Sequence, residues 1–80
     1  MRVNDAIKAR IFELCNERKI SVNKLSTMCG ITQSTLNNIV NRQNNSTTVS
    51  TIKKICDGLE ISIQDFFDSE LFNDLEQEIR

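Results

Sequence analysis

Gln33, Ser34, Asn37 and Asn38 are the side chains of this sequence best suited to recognising another molecule. Gln and Asn each present an amide donor beside a carbonyl acceptor, the pair that meets the adenine edge in a duplex major groove, and a Ser hydroxyl can serve either role. At helical pitch the four lie on or near one outward face, while Leu36 and Ile39 turn inward. Thr32 stands where a helix cap is expected, and Thr35 follows in the first turn. Taken residue by residue, an ordinary capped turn and an exposed polar face explain the same positions. Other chemistry has little support. Histidine is absent, there is no paired nucleophile and base, no phosphate-binding glycine loop and no C-x-x-C pair. An enzyme, a metal site and a bound cofactor are therefore not expected.

These side chains need elements to hold them. The chain has 80 residues, no proline and two glycines, Gly30 and Gly58. Its apolar residues recur at helical spacing, so one all-α domain is expected, burying roughly 60% of its unfolded surface. Asn4 or Asp5 can cap a first helix running to about Lys19, with Ile7, Ile11, Leu14 and Cys15 on its inner face. Ser21 opens a short helix with Leu25, Met28 and Cys29 inward, and Gly30 fits its left-handed end. Ile31 anchors the turn, and Thr32 caps a third helix carrying Leu36 and Ile39. Residues 41–48 are wholly polar and read as a loop. Thr47 or Thr48 caps a fourth helix with Val49, Ile52, Ile55, Cys56 and Leu59. Ser62 caps a fifth, where Ile63, Phe66 and Phe67 close the core. Beyond Ser69, Leu71, Phe72, Leu75 and Ile79 fall on a helical stripe.

The formal charge of −1 conceals a division. Residues 1–56 carry nine Lys/Arg against three acids, and residues 57–80 carry eight acids against Arg80. The first part could neutralise phosphates, while the acidic part could solvate the last helices or keep DNA from that face. Cys15, Cys29 and Cys56 read as small core fillers in a reducing compartment. No stretch reaches the ~18–20 apolar residues of a membrane span, and the N-terminus does not read as a secretory signal. A cytoplasmic location is expected.

In order and spacing the chain resembles the phage repressor and Cro-like helix-turn-helix regulators, often called the XRE family. The resemblance runs from about Ile11 to Phe67. It rests on Ile11-x-x-Leu14, Ile20-Ser21-x-x-x-Leu25-Ser26, Gly30-Ile31-Thr32-Gln33-Ser34-Thr35-Leu36, Thr51-Ile52-x-x-Ile55-Cys56-x-Gly58-Leu59 and Phe66-Phe67. It implies a five-helix, lambda-repressor-like DNA-binding domain over residues 1–68, with a short amphipathic, acidic helical extension over residues 69–80. It further implies a transcriptional regulator, expected to be a repressor, whose third helix lies in the major groove. Gln33, Ser34 and Asn38 match base-contacting positions, and Asn37 shares their outward face. Thr32 matches a cap that also touches the backbone, and Asn41 matches a phosphate-contacting position. Thr35, Arg42, Lys24, Lys53 and Lys54 are the further candidates for the DNA backbone. The amide-rich reading face leads to an expectation of A·T pairs at the most discriminating positions of the bound sequence.

Several positions depart from the family pattern. Many relatives carry glycine at the position of Arg42 and proline at that of Thr47, so Asn41 is a candidate for the left-handed cap. Val22 stands where phage members often place a phosphate-binding Gln. Cys15 and Val40 occupy the positions of an Arg and a Glu that bridge the first and third helices in relatives. Replacing both charges by packed apolar groups is physically coherent, and the two side chains are expected to touch.

One small module reads few base pairs, so a homodimer on two half-sites is expected, with Phe67, Leu71, Phe72, Leu75 and Ile79 as the candidate self-association surface. The alternative for that stripe is a segment folded back over its own core. A competing function is a protein-interaction or antitoxin-like module acting through the acidic C-terminal part, its partner unknown. Salt-sensitive binding to duplex DNA separates the two readings.

Overall fold

The structure is a computed structural model, and it describes residues 1–41 and 47–79. It contains five α-helices: α1 (Val3–Arg18), α2 (Val22–Cys29), α3 (Gln33–Asn41), α4 (Val49–Leu59) and α5 (Ile63–Phe66), followed by a 3-10 turn over Glu70–Phe72. The all-α architecture follows the helical spacing of the apolar residues. No helix among the described residues is long and apolar enough to cross a membrane.

One connector is used three times. α1, α2 and α4 each end on a left-handed residue: Lys19 (φ 56°), Gly30 (φ 68°) and Glu60 (φ 58°). In each case the next residue is isoleucine, whose N–H reaches back to an inner carbonyl of the helix it leaves. The bonds are Ile20 to Cys15, Ile31 to Ser26 and Ile61 to Cys56, at 3.0–3.1 Å. They satisfy carbonyls that a helix end otherwise leaves open. A hydroxyl cap then starts the following helix: Ser21 accepts from Lys24 N–H, Thr32 from Thr35 N–H, and Ser62 from Asp65 N–H. Each isoleucine packs at the margin of the core, and the residue five positions on, Leu25, Leu36 or Phe66, is fully buried. That pairing clamps the entry angle of each helix, as a hydrophobic staple does.

The core joins Ile7, Ile11 and Leu14 of α1 to Leu25, Leu36, Ile39, Ile52, Ile55, Leu59 and Phe66. α2 lies against α4, α3 and α1, and α5 packs on α4. Gly58 marks the tightest helix approach. A Cβ built there would fall 2.5 Å from Cys29 Sγ and 3.0 Å from both Cys29 Cα and the Met28 carbonyl carbon. Cys15 and Val40 both lie in the buried cluster, 4% and 9% exposed, and no ion pair joins α1 to α3 among the described residues.

Other expectations are corrected. The cap of α1 is Arg2, which offers no side-chain acceptor, and Asn4 and Asp5 fall inside the first turn. Asp5 there still favours the positive end of the helix dipole. Val49 is 69% exposed rather than in the core, and Met28, Ile63 and Phe67 are each 38% exposed. Asn41 belongs to α3, and the positive φ angles among the described residues are those of Lys19, Gly30 and Glu60. The stripe after Ser69 does not form a helix beyond the 3-10 turn, so the expected helical extension is a turn followed by residues without regular structure.

That segment folds back along α1. Glu76 N–H donates to Met1 O at 3.0 Å, and Arg2 lies 3.7 Å from Glu78. Phe72 packs against the core margin, and Leu71 and Leu75 are half-buried. Phe67 stacks edge-on to Phe66 and Phe72, with centroids 5.0 and 4.9 Å away. A short apolar segment gains more from that aromatic contact than from a solvated helix, since isolated helices of this length are marginal.

Candidate nucleic-acid interface

α2, the turn at Gly30-Ile31 and α3 form a compact unit. Ser26, buried in α2, donates its hydroxyl to Asn23 O at 2.7 Å and so leaves no open polar atom against α3. Leu36, Ile39 and Val40 bury one side of α3. At about 100° per residue, the other side carries Gln33, Asn37, Asn41 and Ser34. These four are exposed, while Asn38 on the same side is half-buried.

The start of α3 is tied down by its own hydroxyls. Thr32 Oγ1 accepts from Thr35 N–H at 3.1 Å and donates to Thr35 Oγ1 at 2.8 Å. The first N–H groups of a helix have no intrahelical partner, so Gln33 and Ser34 present backbone donors beside the exposed side chains. α4 repeats the arrangement: Thr48 accepts from Thr51 N–H at 3.1 Å and its hydroxyl lies 3.0 Å from that of Thr51.

The cations expected at a DNA backbone divide. Lys24 and Lys54 are exposed without an ion pair among the described residues. Lys53 reaches Asp57 one turn on at 2.5 Å, and that hydrogen bond and charge raise its pKa above the ordinary lysine value. Arg42 lies outside the described residues.

Sequence reasoning missed Arg10, counted there only as a positive charge. It is 8% exposed. Its Nε donates to Phe66 O at 2.7 Å and Nη2 to Asp65 O at 2.8 Å, with Nη1 on the Glu13 carboxylate. Ser69 donates its hydroxyl to the same Glu13 oxygen at 3.2 Å. The guanidinium fork thus closes the C-terminal end of α5, where carbonyls lack helical partners. Its position between Ile7 and Leu14 on the apolar stripe was the available signal.

The thiols are quiet. All three cysteines are free, and burial raises each pKa. Cys29, pushed up to about 11, donates to Ile55 O at 3.7 Å. They therefore behave as protonated packing groups at neutral pH.

Two short helices at a fixed angle, the second turning a polar face outward, define a helix-turn-helix domain. Residues 10–70 match the family model described as the Cro/C1-type HTH DNA-binding domain. The chain belongs to that family, and it carries the DNA-binding domain of a transcription regulator. Among solved structures it is similar to the crystal structure of prophage Lp1 protein 11. The TM-score is 0.80 and the identity 30%, over 94% of this chain and 100% of that one. No curated protein sequence matches it.

Proposed function

We propose that the protein binds duplex DNA sequence-specifically, with α3 in the major groove, and acts as a repressor. The observation that carries this reading is the division of α3, whose Leu36, Ile39 and Val40 are buried while Gln33, Ser34, Asn37 and Asn41 stand exposed. An amide-rich face of this kind favours A·T pairs, because Gln and Asn match the N6/N7 edge of adenine bidentately. Asn38 is half-buried, so Gln33, Ser34 and Asn37 are the more accessible readers.

Grip on the backbone comes from Lys24 and Lys54, from the open N–H groups at the starts of α2, α3 and α4, and from the exposed hydroxyl of Thr35. Thr32 supports the helix start more than it contacts phosphate. Two copies on adjacent half-sites would supply the site length one module lacks. Of the apolar residues expected at a self-association surface, Leu71, Phe72 and Leu75 are partly covered by their own chain, leaving Phe67 and Ile79 exposed. Occupying a promoter suffices to block transcription, and protonated free thiols suit a reducing cytoplasm.

Selection from a random duplex pool at two salt concentrations tests the proposal. Enriched A·T-bearing half-sites, lost on Gln33→Ala or Asn37→Ala, are expected. A pool that stays random at low salt overturns the reading, and uniformly G·C-rich half-sites overturn the assignment of the readers.

A further inference from the structure

α5 turns an unpartnered face to solvent. Ile63 and Phe67 are one turn apart, joined by the Phe67 N–H to Ile63 O bond of 3.2 Å, and each is 38% exposed. Phe67 is held edge-on between Phe66 and Phe72, with interplanar angles of 72° and 64°. An aromatic ring fixed in this way loses little rotamer freedom when something docks on it, the property of an interface anchor.

Acidic side chains dominate the rim of this face. An open depression of about 520 Å³ beside Phe67 is lined by Gln64, Asp65 and Asp68. A second of about 480 Å³ adjoins it through the shared Asp68, with Glu13, Glu17 and Glu70 on its rim. The one cation lining either, Arg10, is buried and committed to Glu13 and to the carbonyls of Asp65 and Phe66. No basic side chain offsets Asp68 or Glu70 among the described residues.

That distribution distinguishes occupants. A second copy docking across a twofold axis would set the same patch against itself, bringing the acidic rim of Asp65, Asp68 and Glu70 against the same rim of the other copy. Like charges facing each other across an interface are strongly disfavoured. Duplex DNA is repelled for the same reason. A cationic amphipathic segment is attracted at the rim and can bury an apolar side chain against Ile63 and Phe67.

We propose that the α5 face, anchored by Ile63 and Phe67 and rimmed by Asp65, Asp68 and Glu70, is a docking surface for a Lys/Arg-bearing amphipathic segment of a partner protein. The surface is separate from the α2–α3 face, so a partner could dock while α3 remains free for DNA. The proposal does not depend on the repressor reading.

A library of random 12-residue displayed peptides, selected against the full chain at low and moderate salt, tests it. Enriched peptides should combine two or more Lys/Arg with a Leu, Phe or Trp, and should shift amide resonances of Ile63, Gln64, Phe67 and Asp68. Asp68→Lys should weaken the best peptide about tenfold, with weakening by added salt as well. Phe67→Ala should weaken it about thirtyfold, as loss of an anchor does. Because removal of Phe67 could loosen the aromatic trio, Asp68→Asn serves as the milder variant, with unchanged circular dichroism and intermediate weakening expected. Failure to enrich any peptide overturns the proposal, as does enrichment of acidic or uncharged peptides or a shift map centred on α2 and α3. It is equally overturned if the protein alone dimerises in sedimentation and Asp68→Lys changes that equilibrium. Duplex binding by the Asp68 variants, measured in parallel, distinguishes loss of this surface from loss of the DNA-binding function.

Discussion

Gly58→Ala should destabilise the protein even though alanine is the better helix former. Gly58 lies inside α4, where alanine favours the helix by about 1 kcal/mol. Against that gain stands the crossing with α2. The added Cβ would lie 3.0 Å from Cys29 Cα and from the Met28 carbonyl carbon, whereas carbon atoms rest at about 3.5–4.0 Å. The 2.5 Å approach to Cys29 Sγ can be relieved by turning that side chain. The two backbone contacts cannot, so the helices must part by roughly 0.5–1 Å. Overpacking of this kind costs about 1–3 kcal/mol, leaving a net loss of about 1 kcal/mol and up to about 2. For a domain of this size that lowers the melting temperature by about 4–8 °C per kcal/mol.

Urea denaturation followed by circular dichroism measures the loss directly, as a lower midpoint at unchanged slope. Cys29→Ala separates the two sources of crowding. If backbone contact dominates, Gly58→Ala remains destabilising in the Cys29→Ala background. Full recovery there would assign the whole effect to the sulfur, and a Gly58→Ala protein as stable as the wild type would falsify the close-crossing argument altogether. Because α2 packs against α3, the same variant should also bind duplex DNA more weakly at temperatures where it stays folded.

Other perturbations follow from the same geometry. Arg10→Met should cost about 1–3 kcal/mol by leaving Phe66 O without its donor and releasing Glu13, while Asp65 O keeps the Asp68 N–H at 3.2 Å, detectable as a lower urea midpoint; a change below about 0.5 kcal/mol would show that water replaces the guanidinium. Lys24→Ala should flatten the salt dependence of DNA affinity by about one unit in log–log slope, while Lys53→Ala, removing an ammonium already tied to Asp57, should change it less; equal slopes for the two would refute the distinction. Burial pushes the Cys29 thiol up to about 11 in the folded chain against an ordinary 9.0, so well below pH 9 it is protonated in both states and adds no pH dependence. As pH rises from 9 toward 11 the unfolded thiol ionises first, unfolding gains, and stability falls. Urea midpoints across that range should decline less steeply for Cys29→Ala, and identical slopes would exclude the thiol as the cause.

The helices were legible because their inner residues and their starts are written locally. Ser21, Thr32, Thr48 and Ser62 each place a hydroxyl three residues before the N–H it accepts, a relation a linear reading can see. The ends were less legible. Gly30 declares a left-handed residue, but Lys19 and Glu60 adopt the same conformation without any intrinsic preference for it. What holds them is tertiary: Ile20 and Ile61 must reach the core, and the chain can turn that way only through a positive φ. Arg10 was hidden for a similar reason, since its partners Asp65 and Phe66 lie far along the chain. The stripe from Leu71 to Ile79 was misread because helical spacing states which residues could share a face, and says nothing of whether a better apolar surface already exists. Here Phe67 and α1 supply one. The exposed polar face of α3 was visible from spacing alone, apart from the partial burial of Asn38.

The fold also changes what the positive half of the sequence can do. Of nine basic residues before Asp57, Arg10 is consumed in closing α5, Arg2 lies against Glu78, and Lys53 against Asp57. A count of formal charge therefore overstates the grip on DNA, because cations held by internal acids release few counterions when a phosphate arrives. The free helix N-termini and the hydroxyls of Thr35 and Thr51 are neutral, and any hydrogen bonds they made to phosphate would depend on direction rather than on distance alone. On the proposed interface, such contacts would add less to non-specific attraction than to the correct seating of α3. Such seating requires α2 to stay where Gly58 allows it, so the close helix crossing and the polar face of α3 act together: one sets the angle at which the other is presented.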